Sequence, residues 1–286
     1  MKLAADHLYV RAPNWVGDVV MATPILQAIR DALPRARITI GLRPHLEAVV
    51  RGARFFDELH FHPARLGLAG RSALARELAA KRFDAAILLA SSMETALVAT
   101  LARIPRRFGY SQNARGWLLT DRLRPPTRAG RRVPAPMPHY WSDLVALAGV
   151  EVRSIRPRLV VDDETDAEVE RWLVQRGIAP DERFVLAAPG ASFGPSKLWR
   201  ADRFAQALDA LAEELGTKSV VQCGPGEEPI AREIAERCRS HAVAALDPPL
   251  DLHRLKAAAR RCALVLCTDS GVRHYGVAFD RPVVCV

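Results

Sequence analysis

Residues 8–41 read LYVRAPNWVGDVVMATPILQAIRDALPRARITIG. The short apolar run Leu8–Ala12 gives way to a loop containing Pro13, Asn14 and Gly17, a helical stretch follows near 23–33, and Arg37–Gly41 is apolar again. Strand, helix and strand within roughly 30 residues describe a βαβ unit, and near-continuous apolar strands of this kind belong to parallel sheets covered on both faces. Working outward, further strands are expected at Glu58–Phe61, Asp84–Leu89 and Arg107–Tyr110, with helices near 44–52, 70–82 and 92–103. A second block repeats the scheme: strands at Phe184–Ala188, Ser219–Cys223, Leu264–Thr268 and Pro282–Val286, and helices near 165–177, 201–215, 228–239, 251–261 and 271–279. Two such blocks in series predict an α/β protein of two Rossmann-like domains.

The boundary falls after a helix near 139–149, with a linker around 153–163, dividing the chain into 1–158 and 159–286. The acidic run at 162–170 opens the following helix, where carboxylates are favourably placed. Residues 122–138, RLRPPTRAGRRVPAPMP, are rich in proline and arginine and read as a loop. The last apolar run stops at Val286 with nothing beyond it, which predicts that the C-terminal domain is incomplete.

With 286 residues, 49% hydrophobic and 26% charged, the chain has material for a sizeable core and an ordinary globular balance. No apolar run approaches the ~18 residues of a membrane span, and Asp6, His7 and Arg11 interrupt any signal-like stretch. A cytoplasmic location is expected. The five cysteines, at 223, 238, 262, 267 and 285, form no C-x-x-C pair and read as free, mostly buried thiols. His60 and His62 form an isolated H-x-H, read as a solvated strand end, and no metal site is expected. Charge is uneven. Residues 1–160 carry 25 Lys/Arg against 12 Asp/Glu, net +13, whereas residues 161–286 carry 16 against 20, net −4. A basic half suits something anionic: nucleic acid, a membrane surface or a phosphorylated substrate.

In doubly wound sheets, ligands bind where loops leave the carboxyl ends of strands. Four loops there stand out. In Ala12–Asp18, Gly17 permits a tight turn and Asp18 projects from the top of the sheet, either as a helix cap or as a carboxylate able to take a proton from a hydroxyl; the helix starts either at Asp18, with Pro24 inside it, or at Thr23-Pro24. In Pro189–Trp199, small residues expose N–H groups, Ser192 and Ser196 add hydroxyls, and Lys197 adds a cation, which together could cradle a diphosphate. In Cys223–Glu228, the paired Glu227 and Glu228 either accept from ribose hydroxyls or cap a helix. In Thr268–His274, a polar cluster ends a buried strand and opens a helix, again suited to a phosphate.

These loops resemble the ADP-heptose:lipopolysaccharide heptosyltransferases, glycosyltransferase family 9, most of all the heptosyltransferase II branch. The resemblance runs from NWVGDVVMATPIL at 14–26, through PGASFGPSKLW at 189–199, to TDSGVRHYGVAFDRPVV at 268–284, and FGPSK at 193–197 points to the branch. It implies a GT-B fold, with two Rossmann-like domains facing a cleft, acceptor on the N-terminal one and nucleotide-sugar on the C-terminal one. It implies inverting transfer of heptose from ADP-heptose to a phosphorylated heptosyl-Kdo-lipid A acceptor, with no obligatory metal or cofactor. Asp18 would be the general base and Lys197 the cation on the departing diphosphate. Gly190, Ser192, Ser196, Glu227 or Glu228, Asp269, Ser270, Gly271 and His274 would hold the donor. Asn14, Trp15, Gly17 and the arginines 122, 124, 128, 131 and 132, on a flexible loop, would meet the acceptor at the inner membrane face, the chain acting as a monomer. Arg273 and Tyr275 depart from the apolar residues expected there. Two other readings stand beside this one: a transferase of the same fold using another sugar, and a nucleic-acid-binding protein, suggested by a pI of about 9.8 but lacking interleaved aromatics or a recognition motif.

Overall fold

The computed structural model describes residues 3–63, 67–190 and 194–286. It divides into two compact units, Met1–Pro157 and Arg158–Val286.

The first unit runs β1 (His7–Arg11), α1 (Val16–Ala32), β2 (Arg37–Leu42), α2 (Glu47–Val50), β3 (Glu58–Phe61), α3 (Leu68–Ala80), β4 (Ala85–Leu88), α4 (Met93–Leu101), β5 (Arg106–Tyr110), β6 (Asp121–Leu123), a hairpin of β7 (Thr127–Arg128) and β8 (Arg131–Arg132), and α5 (Met137–Leu147). Its sheet has the order β3-β2-β1-β4-β5-β6, and every pairing is parallel. The central strands are buried almost end to end, as a sheet covered on both faces requires. Helix α1 packs against α5, and α3 against α4. The returning α5 is fixed by polar ties inside the core: Tyr110 stacks on Tyr140 at 3.5 Å and donates to its carbonyl at 2.7 Å, while Trp141 Nε1 donates to Leu89 at 3.2 Å.

The second unit runs α6 (Asp163–Val174), β9 (Phe184–Ala188), α7 (Ala201–Leu215), β10 (Lys218–Val221), α8 (Glu228–Arg237), β11 (Ala242–Ala244), α9 (Arg254–Arg261), β12 (Leu264–Cys267), α10 (Arg273–Ala278) and β13 (Val283–Cys285). Its sheet order, β11-β10-β9-β12-β13, repeats that of the first unit: the first strand is central and the order reverses beside it. Both units are thus Rossmann-like, with switch points at β1/β4 and β9/β12. The buried Asp209 on α7 accepts the Arg239 and Ser240 N–H groups, each at 2.9 Å, and the Ser240 hydroxyl, pinning the loop that leads into β11.

Several expectations are corrected. Residues 122–138 are not one loop. Arg122 and Leu123 belong to edge strand β6, and Arg128, Arg131 and Arg132 lie in the β7–β8 hairpin. The prolines flank these strands instead of interrupting them, and Ala129 and Gly130 turn the hairpin at φ +50° and +74°, the left-handed pair that a two-residue turn demands. The helix expected near 44–52 is a 3-10 turn, Pro44–Leu46, followed by the four-residue α2. Strand β11 was not expected. The last strand, β13, is a largely exposed sheet edge, with Val284 and Val286 open to solvent. The cysteines are free, with Cys223, Cys262 and Cys267 buried. Among the described residues no helix is long and apolar enough to cross a membrane.

Candidate active site

In the first unit the loop leaving β1 meets α1 at Trp15, the helix N-cap, and Asp18 falls in the first turn. Helix α1 therefore starts before Asp18, and Thr23-Pro24 does not open it. Pro24 cannot donate to the Val20 carbonyl; the Thr23 hydroxyl does so instead, at 2.8 Å, and the helix continues. The Asp18 carboxylate is partly buried. Among the described residues it has no hydrogen bond or ion pair, and burial pushes its pKa above the ordinary carboxylate value. A carboxylate so placed is a stronger base than one in water. Gly17 is buried beside it and Trp15 is 55% exposed.

Arg11, the last residue of β1, is a buried cation that sequence reasoning missed. Its guanidinium donates to Ala12 and Gly41 carbonyls and to Asn14 Oδ1 at 2.7 Å, and meets His62 Nδ1 at 3.5 Å. It ties the ends of β1, β2 and β3 together and fixes Asn14. His62 is only 4% exposed, contrary to the solvated strand end expected. Burial and the Arg11 charge bring its pKa down to about 4, so it is neutral. Its Nε2 has no partner among the described residues. His62, Arg11, Tyr9, Glu94 and Thr95 line a cavity of about 20 Å³, room for a single water. The signal for Arg11 was present: an arginine ending an otherwise apolar central strand. Arg122, Arg124, Arg128, Arg131 and Arg132 are all exposed. Arg122 donates to the Gly116 carbonyl at 2.9 Å, next to Trp117, which is 72% exposed.

In the second unit three loops are stitched together at the carboxyl ends of β10, β9 and β12. The Thr268 hydroxyl donates to the Gly190 carbonyl at 2.6 Å. Glu227 lies against Gly190 so closely that a Cβ there would sit 1.8 Å from Glu227 Oε2. The same oxygen accepts the Gly224 N–H at 2.8 Å, and Gly226, at φ +84°, makes the turn that brings Glu227 back. Glu228 instead opens α8, where backbone N–H groups hold its carboxyl below the usual range. Lys197, at the end of the 3-10 turn Pro195–Lys197, reaches across to Asp269 Oδ2 at 2.5 Å. Lys197 and then Arg273 hold the Asp269 carboxyl below its ordinary pKa. Ser196 is exposed, Gly271 is half-buried, and the Ser270 hydroxyl is buried without a partner among the described residues. His274, the second residue of α10, is brought down to about 4 by burial and by Arg273. Tyr275, unexpected in the sequence, is a core residue whose hydroxyl donates to Leu252 at 3.3 Å. Ser192 lies outside the described residues. Among those described, no group of three or more His, Cys, Asp or Glu side chains could hold a metal ion.

The model of glycosyltransferase family 9 (heptosyltransferase) matches residues 71–286, three quarters of the chain. The chain belongs to glycosyltransferase family 9. It is thus a glycosyltransferase, and its two Rossmann-like units are of the GT-B class. The family 9 chain is 25% identical to lipooligosaccharide heptosyltransferase 2 of Haemophilus influenzae, over 98% of this chain and 82% of that one. Among solved structures it resembles a family 9 glycosyl transferase from Veillonella parvula, with a TM-score of 0.86 at 24% identity, over 100% of this chain and 81% of the other. It also resembles the ADP-heptose LPS heptosyltransferase II of E. coli, with a TM-score of 0.77 at 23% identity, over 100% and 84%. Within this family 9 glycosyltransferase, Lys197 and Asp269 are paired in the second unit, Glu227 and Thr268 both meet Gly190 there, and in the first unit Asn14, Trp15 and Asp18 stand on the turn from β1 into α1.

Proposed function

We propose that this glycosyltransferase moves heptose from ADP-heptose to a phosphorylated heptosyl-Kdo-lipid A acceptor in lipopolysaccharide inner-core assembly. The relatives named above support the donor and the pathway. The observation that carries the chemistry is Asp18: a partly buried carboxylate, without a partner among the described residues, whose pKa is raised by burial. In this reading Asp18 takes the proton of the acceptor hydroxyl as its oxygen attacks the anomeric carbon. The bond from that carbon to the diphosphate breaks, ADP leaves with the electron pair, and the configuration inverts. Lys197, with Ser192 and Ser196, stabilises the departing diphosphate, because a preorganised cation acts most strongly on charge that grows in the transition state. Glu227 holds the adenosine ribose, since it and not Glu228 lies against Gly190. Asp269, Ser270, Gly271 and His274 bind the sugar and phosphates of the donor between them, the Asp269 carboxylate accepting from sugar hydroxyls. No metal or cofactor is required, and the chain works as a monomer.

The acceptor side is the first unit. Asn14, Trp15 and Gly17 border the base, and the arginines 122, 124, 128, 131 and 132 meet acceptor phosphates at the cytoplasmic face of the inner membrane. The exposed Trp117 beside Arg122 suits a peripheral attachment there, because an indole is at home between apolar and wet surroundings.

Calorimetric titration with ADP, ADP-heptose, GDP and UDP tests the donor. Adenine compounds should bind and the other two should not. Preference for UDP or GDP would replace heptose transfer with transfer of another sugar by the same fold.

A further inference from the structure

Asp269 is shared between two cations. Its Oδ2 accepts from Lys197 Nζ at 2.5 Å, and Nζ also reaches the Asp269 carbonyl at 3.3 Å. Its Oδ1 is paired with Arg273 Nη1, four residues along the chain. Arg273 in turn directs Nε onto His274 Nε2 at 3.1 Å. A guanidinium only donates, so Nε2 is the acceptor and the neutral ring carries its proton on Nδ1. The fold has little need of this network: the Asp269 and Arg273 side chains are 46% and 40% exposed, and ion pairs that open to water add little stability.

The arrangement raises a difficulty for the diphosphate. Lys197, as it stands, is committed to Asp269. If it moves to the donor, Asp269 keeps a full charge beside incoming phosphates, and like charges repel. We infer that Arg273 is a positioning residue: it keeps Asp269 neutralised, so that Lys197 can be handed over to the donor diphosphate. This rests on Lys197 as the diphosphate cation. It also gives a purpose to an arginine that stands where the family resemblance leads one to expect an apolar side chain.

The test is calorimetric titration of the full chain with ADP, which lacks the sugar, for Arg273→Met, Arg273→Lys, Asp269→Asn, the double variant Asp269→Asn/Arg273→Met, and Lys197→Ala. Arg273→Met should weaken ADP about fivefold, and Arg273→Lys, which keeps the charge, less than about twofold. In the Asp269→Asn background the Arg273→Met effect should vanish, because no charge is left to neutralise. Equal weakening with and without the Asp269 charge, or none in either, overturns the inference while leaving Lys197 in its role. Unchanged ADP affinity in Lys197→Ala overturns the role and the inference together. Arg273 is half-exposed and outside the core, so the variants should fold, which thermal unfolding checks; should Arg273→Met not, Arg273→Gln takes its place in the cycle.

Discussion

Burial makes it costly to ionise Asp18. Its folded pKa lies above the unfolded one, so the stability it contributes is present below the unfolded value and is lost as pH rises through the folded value. Asp18→Asn should therefore unfold at a higher temperature at neutral pH, while turnover falls by ~10²-fold or more and ADP affinity stays put. Calorimetric melting and ADP release read the two effects, and an Asp18→Asn enzyme with near-normal turnover would remove Asp18 as the base. The acid limb of the wild-type kcat/KM profile should lie above the ordinary carboxylate range, because the base must be deprotonated. Asp18 could be picked out in the sequence because it follows a strand and a Gly in a recognisable loop. Arg11 left a signal, an arginine ending an apolar central strand, but His62 left none, since its importance lies in one contact that joins positions 11 and 62. Period and composition do not carry such a contact.

At the scale of elements, Asp209 shows how a single side chain can hold a connection. Burial pushes its carboxyl up, but bonds from Ser240 and Arg239 outweigh this and bring it down to about 2. A depressed pKa contributes stability above the unfolded value, lost as pH falls from about 4 towards 2. Asp209→Asn should cost about 2 kcal/mol at pH 7 and progressively less on acidification below pH 4, as followed by urea unfolding. The long elements were legible because their apolar periods are long: α7 and β9 match their expected limits residue for residue. The short ones were not. β6 and β11 are three residues each, and β7 and β8 two. No period can be read from so few positions, and the pairing partner, not the local sequence, makes them strands. The start of helix α1 stayed open between Asp18 and Thr23-Pro24 because Pro24 reads as a first-turn residue, and the Thr23 hydroxyl that lets it sit mid-helix is a detail of three dimensions.

Across the whole molecule the charge is divided: net +13 over residues 1–160 and −4 over the rest. Exposed charge acts over about a Debye length, ~10 Å at 0.1 M salt. If the basic part holds a phosphorylated acceptor, raising salt from about 0.05 to 0.5 M should raise the acceptor KM about tenfold or more, with a much smaller change in ADP affinity. Equal salt sensitivity of both would separate the arginines from acceptor binding. The same division gave the first hint of an anionic partner, yet could not choose among nucleic acid, membrane and phosphorylated substrate. That choice came from the loops at the strand ends and from the family.

Gly190 lets the Glu227 carboxylate lie where a methyl group would otherwise be. Changing it to alanine takes one nucleotide, yet the added methyl would push aside the Glu227 carboxylate and with it the bond from the Gly224 N–H. A working lineage should therefore keep glycine there for two reasons at once, the shape of the loop and the carboxylate that the loop presents.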